Sequence, residues 1–410
     1  MKFRVQQISA GAGEKASMGT NGWKVLIARY LRKDGQGKVI ESAEDMFGRV
    51  AGNIAAAEAT YAGPEAVESA SQEFFHVMSR LEFLPNSPTL MNAGRDLQQL
   101  SSCFVLPLQD SLDSIFEAVK SAALIHKSGG GSGFSFSHIR PKGDRVRSTH
   151  GVASGPVSFI RVFDAATDAV RQGGTRRGAN MGVLRIDHPD ILEFIDAKST
   201  EGGLGNFNLS VAVTDLFMKS LADGADYTLV HPGSRRPAGH LSAPEVFARL
   251  SMRAWECGDP GVIFIDTINR SNPTPEQGEL ECTNPCGEQP LLPYESCTLG
   301  SVNLSRMVSL GSGRRPAIDY RRLAGLVRTA VRFLDDVLDV NEYPLPWIAE
   351  VTRRNRKIGL GVMGWSDLLI RLRLPYDSRE AFTLADTVMG FIQRTAHRAS
   401  EELARERGPF

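Results

Sequence analysis

The chain has 410 residues, of which 42% are hydrophobic and 23% charged, an ordinary globular balance with room for one large domain or two smaller ones. Lysine plus arginine equals aspartate plus glutamate at 47 each, so the formal net charge is zero and no polyanion-seeking surface is implied, which argues against nucleic acid as a partner. Met1-Lys2-Phe3-Arg4-Val5 is not followed by an apolar core with a small-residue cleavage site, and no apolar run approaches the ~18 residues of a membrane span, so a cytoplasmic protein is expected.

Residues 1–41 mix strand-like and polar stretches without clear periodicity. Ser42-Ala43-Glu44-Asp45 carries a capping signal that opens a helix through Phe47, Val50 and Ile54. Pro64 opens a second helix running to Leu81. These predict a small helical region over residues 1–82 and a second region over 83–410, where short apolar strands alternate with amphipathic helices.

In chain order the second region predicts a strand at Cys103–Leu106, a helix over Ser111–His126 and a strand at Gly133–Ser137. A helix at Pro156–Arg171, a strand at Met181–Ile186 and a helix at Pro189–Ala197 follow. Then come a strand at Phe207–Val213, a helix at Pro244–Glu256 and a strand at Val262–Ile265, with helices over Tyr320–Val340 and Glu380–Arg407 closing the series. Such alternation predicts an α/β fold with parallel strand pairing. No internal repeat and no low-complexity tract interrupts it.

The five cysteines, Cys103, Cys257, Cys282, Cys286 and Cys297, are too sparse and odd in number for a disulfide framework. Zinc is a rival use for Cys282, Cys286 and Cys297, with or without Cys257, but structural zinc sites usually carry two close ligand pairs and only one is present.

Asn284-Pro285-Cys286-Gly287-Glu288-Gln289-Pro290 is the most informative segment. It places an amide, a thiol and a carboxylate at alternate positions, which in an extended loop point the same way and face one ligand. Pro285 and Gly287 favour a constrained, non-helical backbone. The trio suits chemistry at a carbon bearing a hydroxyl: the carboxylate takes the proton, the amide holds the oxygen, and sulfur acts on the carbon or its hydrogen. A polar turn with a buried thiol is the plainer alternative.

Three glycine-rich stretches are weaker signals. Ser128-Gly129-Gly130-Gly131-Ser132-Gly133 lacks the lysine and hydroxyl of a P-loop, leaving close backbone approach to a ligand or a simple turn. Gly359-Leu360-Gly361-Val362-Met363-Gly364 matches GxGxxG, but the basic residues 353–357 before it form no apolar strand, so tight packing around a turn is expected rather than a dinucleotide site. Gly173–Gly178 and Lys198–Gly203 read as polar connectors that could serve as ligand loops.

The run from Asn284 to Cys297 resembles the active-site finger loop of class II, coenzyme B12-dependent ribonucleotide reductases. Residues 83–94, Ser101-Ser102-Cys103, Ser128–Ser137, Arg176–Gly182 and Asn206–Val211 are similar to further segments of that family, in the same order, and the likeness runs from Arg29 to Phe410. The short step from Cys286 to Cys297 and the Asn-Pro-Cys-Gly-Glu-Gln-Pro-Leu run favour class II over the diiron class.

The resemblance implies the first half of a ten-stranded α/β barrel with a central finger loop. It implies reduction of ribonucleoside diphosphates with adenosylcobalamin, a thiyl radical on Cys286, Glu288 as acceptor of the 3′-hydroxyl proton, Asn284 as a hydrogen-bond partner of the substrate and intermediates, and Cys103 with Cys297 as the dithiol. Substrate contacts carry over to Ser87, Thr89, Ser102, Cys103, Gly131, Asn284, Pro285, Cys286, Gly287 and Glu288. Asp110, Ser111 and Leu112 match the start of the helix that holds a deoxynucleoside or ATP effector at a dimer interface. Lys198–Asn206 matches the loop that relays effector identity. A thioredoxin-like reductant completes the expected partners. Members of the family continue beyond the point matching Phe410 through a second half-barrel, a phosphate-binding loop and a cysteine pair, so a complementing second half is expected. A non-catalytic nucleotide-binding or regulatory fragment is the alternative.

Overall fold

The computed structural model describes residues 18–146, 150–170, 178–199, 203–310 and 316–410. The chain forms two compact units, one of residues 103–296 and one in which residues 1–102 join residues 297–410.

The 103–296 unit is a parallel α/β layer. Strands Cys103–Val105, Gly131–Ser135, Asn180–Arg185, Phe207–Val213 and Gly261–Phe264 pair in that order, each parallel to the next. Parallel neighbours need crossovers, and helices Leu112–Lys127, Pro156–Ala169 and Ala243–Cys257 lie in them. The first three strands are buried along almost their whole length, as expected when helices cover a sheet. Phe134, Phe136, Phe163 and Phe207 form one aromatic cluster, with centroids 4.7 Å apart for Phe134 and Phe163. The helix ends follow local chemistry: Ser111 caps Leu112–Lys127 through the Ser114 amide, and Pro156 opens its helix at the first turn.

The second unit carries the N-terminal helices. Ser42 and Asp45 form a reciprocal capping box on Ala43–Ala55, which packs with Pro64–Ser79 and Tyr320–Val340. Among the described residues before Phe83 there are helices and no strand, as expected for a helical N-terminal region. Strand Ser296–Asn303 pairs antiparallel with Phe83–Pro85 and parallel with Ile358–Met363. Gly300 is required here, because a Cβ would lie 2.4 Å from the Phe83 ring, which in turn packs edge-on against Phe333.

Three expectations are corrected. Thr20–Arg29 is a helix within the stretch read as irregular; it buries Leu26 and leaves Val25 and Ile27 exposed, so its β-branched residues mimicked a strand. The predicted helix at Pro189–Ala197 contracts to Ile191–Ile195. Gly359–Gly364 is not a turn: its first five residues lie in strand Ile358–Met363, where Ile358, Leu360 and Val362 pack on the core and glycines alternate with them. Only Gly364, at φ 73°, turns the chain into the next helix.

Candidate active site

The finger segment is a hairpin. Cys282–Thr283 pairs antiparallel with Pro290–Leu291, and the amide of Gly287 closes the tip on the Asn284 carbonyl at 3.0 Å. Asparagine first, proline second and glycine fourth are the residues a type I turn favours, and Gly287 has φ 82°. The alternate-position expectation is therefore corrected: the chain is bent here, not extended. Asn284 and Pro285 are buried while Cys286, Gly287 and Glu288 are exposed at the apex. Thiol and carboxylate share the open side; the amide faces inward.

The inward amide makes two bonds. Asn284 Nδ2 donates to Cys103 Sγ at 3.0 Å, and Asn284 Oδ1 accepts from the Gln289 amide at 3.0 Å. One side chain thus ties the turn to itself and to the first strand. The glycine run explains how the hairpin lies so close to the sheet. A Cβ at Gly133 would stand 2.0 Å from the Thr283 carbonyl oxygen, and one at Gly131 would stand 2.7 Å from Pro285 Cγ. What these glycines approach is the protein's own hairpin. From the Phe207–Val213 strand, Asn208 Nδ2 donates to the Pro285 carbonyl at 2.6 Å.

Cys282 is buried at the hairpin base, and burial pushes its thiol well above the ordinary range, which suits a structural rather than a reactive sulfur. Cys257 is exposed at the end of its helix, with its thiol donating to the Arg253 carbonyl. Among the described residues no three His, Cys, Asp or Glu side chains are grouped to hold a metal ion.

Behind the Gly131–Ser135 strand runs a buried polar chain. His126 Nε2 lies 3.0 Å from Ser132 Oγ, Ser132 donates to Asn180 Oδ1 at 2.8 Å, and Asn180 Nδ2 donates to Thr167 Oγ1 at 2.8 Å. Burial lowers the His126 imidazole to about 4, outweighing hydrogen bonds with Ala179 and Asn180 that act the other way. Above pH 6.5 the ring is neutral in folded and unfolded chains alike, so nothing is lost. Between 6.5 and about 4 the unfolded chain binds a proton that the native chain does not, so stability falls as pH falls. The loss should total about 3 kcal/mol across that window. Urea midpoints for the parent and for His126→Gln measure it: the variant should show a flatter pH dependence between 6.5 and 4, and parallel curves would refute the assignment.

The segments matched to effector handling are also placed within this unit. Ser111 is the helix cap, Asp110 accepts from Arg140 Nε at 2.7 Å, and Leu112 is 64% exposed on the outer face of its helix. Lys198, at one end of the relay segment, donates to the Phe207 carbonyl and to Asp259, both at 2.6 Å. Residues 200–202 of that segment lie outside the described residues, as do Gly173–Arg177, which include Arg176 and Arg177 of the Arg176–Gly182 motif.

In the other unit, Ser87, Thr89 and Ser102 gather around Asn86. Its side chain accepts from the Thr89 amide at 2.9 Å and donates to Ser102 Oγ at 3.4 Å. Thr89 is buried, with its hydroxyl committed to the Leu100 carbonyl, and Ser87 Oγ lies 2.7 Å from the Tyr30 hydroxyl. Cys297 is fully buried in strand Ser296–Asn303, and its thiol donates to the Thr298 carbonyl. Tyr30 and Asn86 are not among the site residues that the sequence marks. Asn86-Ser87-Pro88-Thr89 does carry a local signal, a capping asparagine with proline inside the first turn.

The sequence family described as the ribonucleotide reductase barrel domain matches residues 101–410, and its all-alpha domain matches residues 16–98. A vitamin B12-dependent ribonucleoside-diphosphate reductase of Thermoplasma acidophilum is 49% identical over 464 aligned residues, covering all of this chain and 60% of the relative. The protein of the same name from Mycobacterium tuberculosis is 49% identical over 410 residues, again covering all of this chain and 58% of the relative. The ribonucleoside-diphosphate reductase large subunit of Vaccinia virus is 31% identical over 423 residues, covering 95% of this chain and 53% of the relative. This chain therefore spans about 60% or less of the length of the curated relatives it matches. With both family domains matched in order across nearly all of its residues, the chain belongs to the ribonucleotide reductase family.

Proposed function

We propose that the chain carries the radical cysteine and the dithiol of an adenosylcobalamin-dependent ribonucleoside-diphosphate reductase, acting with a complementing second half of the protein. The observation that carries this reading is the turn: a thiol and a carboxylate exposed together at its apex, with the buried amide between them and Cys103. The names of the relatives from Thermoplasma acidophilum and Mycobacterium tuberculosis support the cofactor and the diphosphate substrate.

The apex suits the cofactor, since Cys286 is exposed and a Cβ at Gly287 would meet nothing within 4 Å. Residues 286–288, exposed at the apex, would be the ones to hold it. When bound, adenosylcobalamin supplies the oxidising equivalent that leaves the unpaired electron on sulfur. The chain's own residues do the rest. Cys286 takes the 3′-hydrogen of the ribose and later returns it. Glu288 accepts the 3′-hydroxyl proton, and Asn284 holds the turn that presents both. Cys103 and Cys297 give up two electrons and two protons; the 2′-hydroxyl leaves as water and the pair becomes a disulfide. Ser87, Thr89, Ser102, Gly131 and the 284–288 backbone form the substrate contacts in this reading. Asp110, Ser111 and Leu112 open the effector helix of a homodimer. A thioredoxin-like protein regenerates the dithiol, and the enzyme works in the cytoplasm; among the described residues no helix is long and apolar enough to cross a membrane.

The test uses this chain joined with the segment that completes the relatives' length, plus adenosylcobalamin, a dithiol and ribonucleoside diphosphates labelled with tritium at the 3′ position. Deoxynucleotide should form. Cys103→Ser should still release 3′ tritium while deoxynucleotide is lost, because the hydrogen transfer precedes the reduction. After one turnover without reductant, peptide mapping should find Cys103 linked to Cys297, with Cys257 and Cys282 unlinked. Loss of product together with full retention of the 3′ label would sink the division of labour between Cys286 and Cys103.

A further inference from the structure

The strand Phe207–Val213 is buried at every position except Asn208. That one exposed amide donates from Nδ2 to the Pro285 carbonyl at 2.6 Å. The carbonyl belongs to the peptide joining Pro285 to Cys286, which is the central peptide of the type I turn. Types I and II differ by a flip of this peptide, and the flip would swing the Cα–Cβ bond of the third residue, here Cys286. Cys286 is not among the described residues with positive φ, so the turn stands in the unflipped form. The Gly287–Asn284 bond that closes the turn is common to both forms and does not choose between them. The Asn208 bond does, because a flipped carbonyl would point away from it.

Asn208 itself is held from both sides. Lys198 binds the carbonyl of Phe207 and also Asp259, and Asp259 Oδ1 accepts from the amide of Leu209 at 2.9 Å. The peptides before and after Asn208 are thus clamped through one partly buried ion pair, whose side chains are 18% and 15% exposed. The amide therefore projects from a fixed base at a fixed distance from the turn.

We propose that Asn208 is a positioning residue for the Cys286 thiol: its amide holds the Pro285–Cys286 peptide in one orientation and so fixes the direction of the sulfur. The inference rests on the reading of Cys286 as the reacting thiol. Its effect is exerted through the turn, and Asn208 need not touch substrate or cofactor.

Two variants test it in the completed enzyme. Asn208→Ala removes the donor, and Asn208→Asp keeps the shape but offers a carboxylate with no N–H. Both changes are at an exposed position, so melting temperatures should stay close to that of the parent. In both, kcat should fall roughly 2- to 10-fold, the worth of one neutral hydrogen bond, with KM within about twofold. Iodoacetamide labelling read site by site by mass spectrometry should show the rate at Cys286 altered several-fold, with Cys257 unchanged as the internal reference. If Asn208→Ala does not fold, Asn208→Asp decides alone. Unaltered Cys286 labelling, an altered labelling rate with normal kcat, or a rise in KM alone would each overturn the proposal. Failure of the underlying reading is seen separately, as normal turnover by Cys286→Ser, and the labelling arm remains readable in that case.

Discussion

Cys286→Ser in the completed enzyme is expected to abolish deoxynucleotide formation while leaving substrate affinity within about twofold, the larger kinetic loss arising because hydrogen exchange at sulfur has no substitute. The change is small in every other respect. Serine keeps the size and polarity of the side chain, and Cys286 sits exposed at the apex. The turn is framed by Asn284, Pro285 and Gly287, none of which is altered. Stability should move by no more than about 0.5 kcal/mol, as for other surface substitutions. What changes is bond strength. An S–H bond is weak enough to exchange hydrogen with a ribose C–H in both directions, whereas an O–H bond is too strong to be broken in the first step. Product analysis by chromatography and equilibrium binding of the nucleotide measure the two quantities independently. Normal turnover by this variant would remove Cys286 from the mechanism and with it the functional reading of the hairpin.

The parts of this molecule that could be read in advance are those written in local chemistry. Ser42 with Asp45 announces a helix start, and Tyr320–Val340 shows its helical period over six turns' worth of residues. Phe207–Val213 is a strand because a short, mostly apolar run is what a covered parallel sheet needs. Misreadings arose where a local pattern had two solutions. Gly359–Gly364 offers glycine at alternate places, which fits a turn as well as a strand whose other face is apolar, and only the pairing with Ser296–Asn303 decides. At Asn284–Glu288 the residue types pointed to the right kind of backbone, constrained and non-helical, but alternation was applied to a chain that bends. The turn separates the amide from the thiol and carboxylate, so the trio divides into an inward brace and an outward pair. Gly131 and Gly133 were legible as positions of close approach. What they approach, Pro285 and Thr283, lies some 150 residues away in sequence and could be known only from the fold. Asn208 was invisible as a contributor for the same reason: its partner is 77 residues distant.

The outward pair makes a second large effect predictable. Glu288→Gln should lower kcat by ~10²–10⁴-fold, the usual worth of a positioned general acid–base group, and should leave a measurable residual rate. Glutamine keeps the length and can still accept a hydrogen bond, but it cannot take the 3′-hydroxyl proton. The radical step itself needs no proton acceptor at Glu288, so hydrogen transfer to Cys286 becomes slower without being forbidden. This separates the carboxylate from the thiol: one variant is slow and the other is dead. It also separates Glu288 from Cys103, whose loss should leave 3′ tritium release intact. Glu288 is exposed at the apex, so the substitution is not expected to disturb folding. Nucleotide KM should stay near the parent value, since the lost interaction is one strengthened only as the proton moves. With 3′-deuterated substrate the isotope effect on kcat should be larger in Glu288→Gln than in the parent, because the hydrogen transfer then limits turnover. A variant that turns over at the parent rate, or one whose defect lies wholly in KM, would show that Glu288 binds the nucleotide and does not carry the proton.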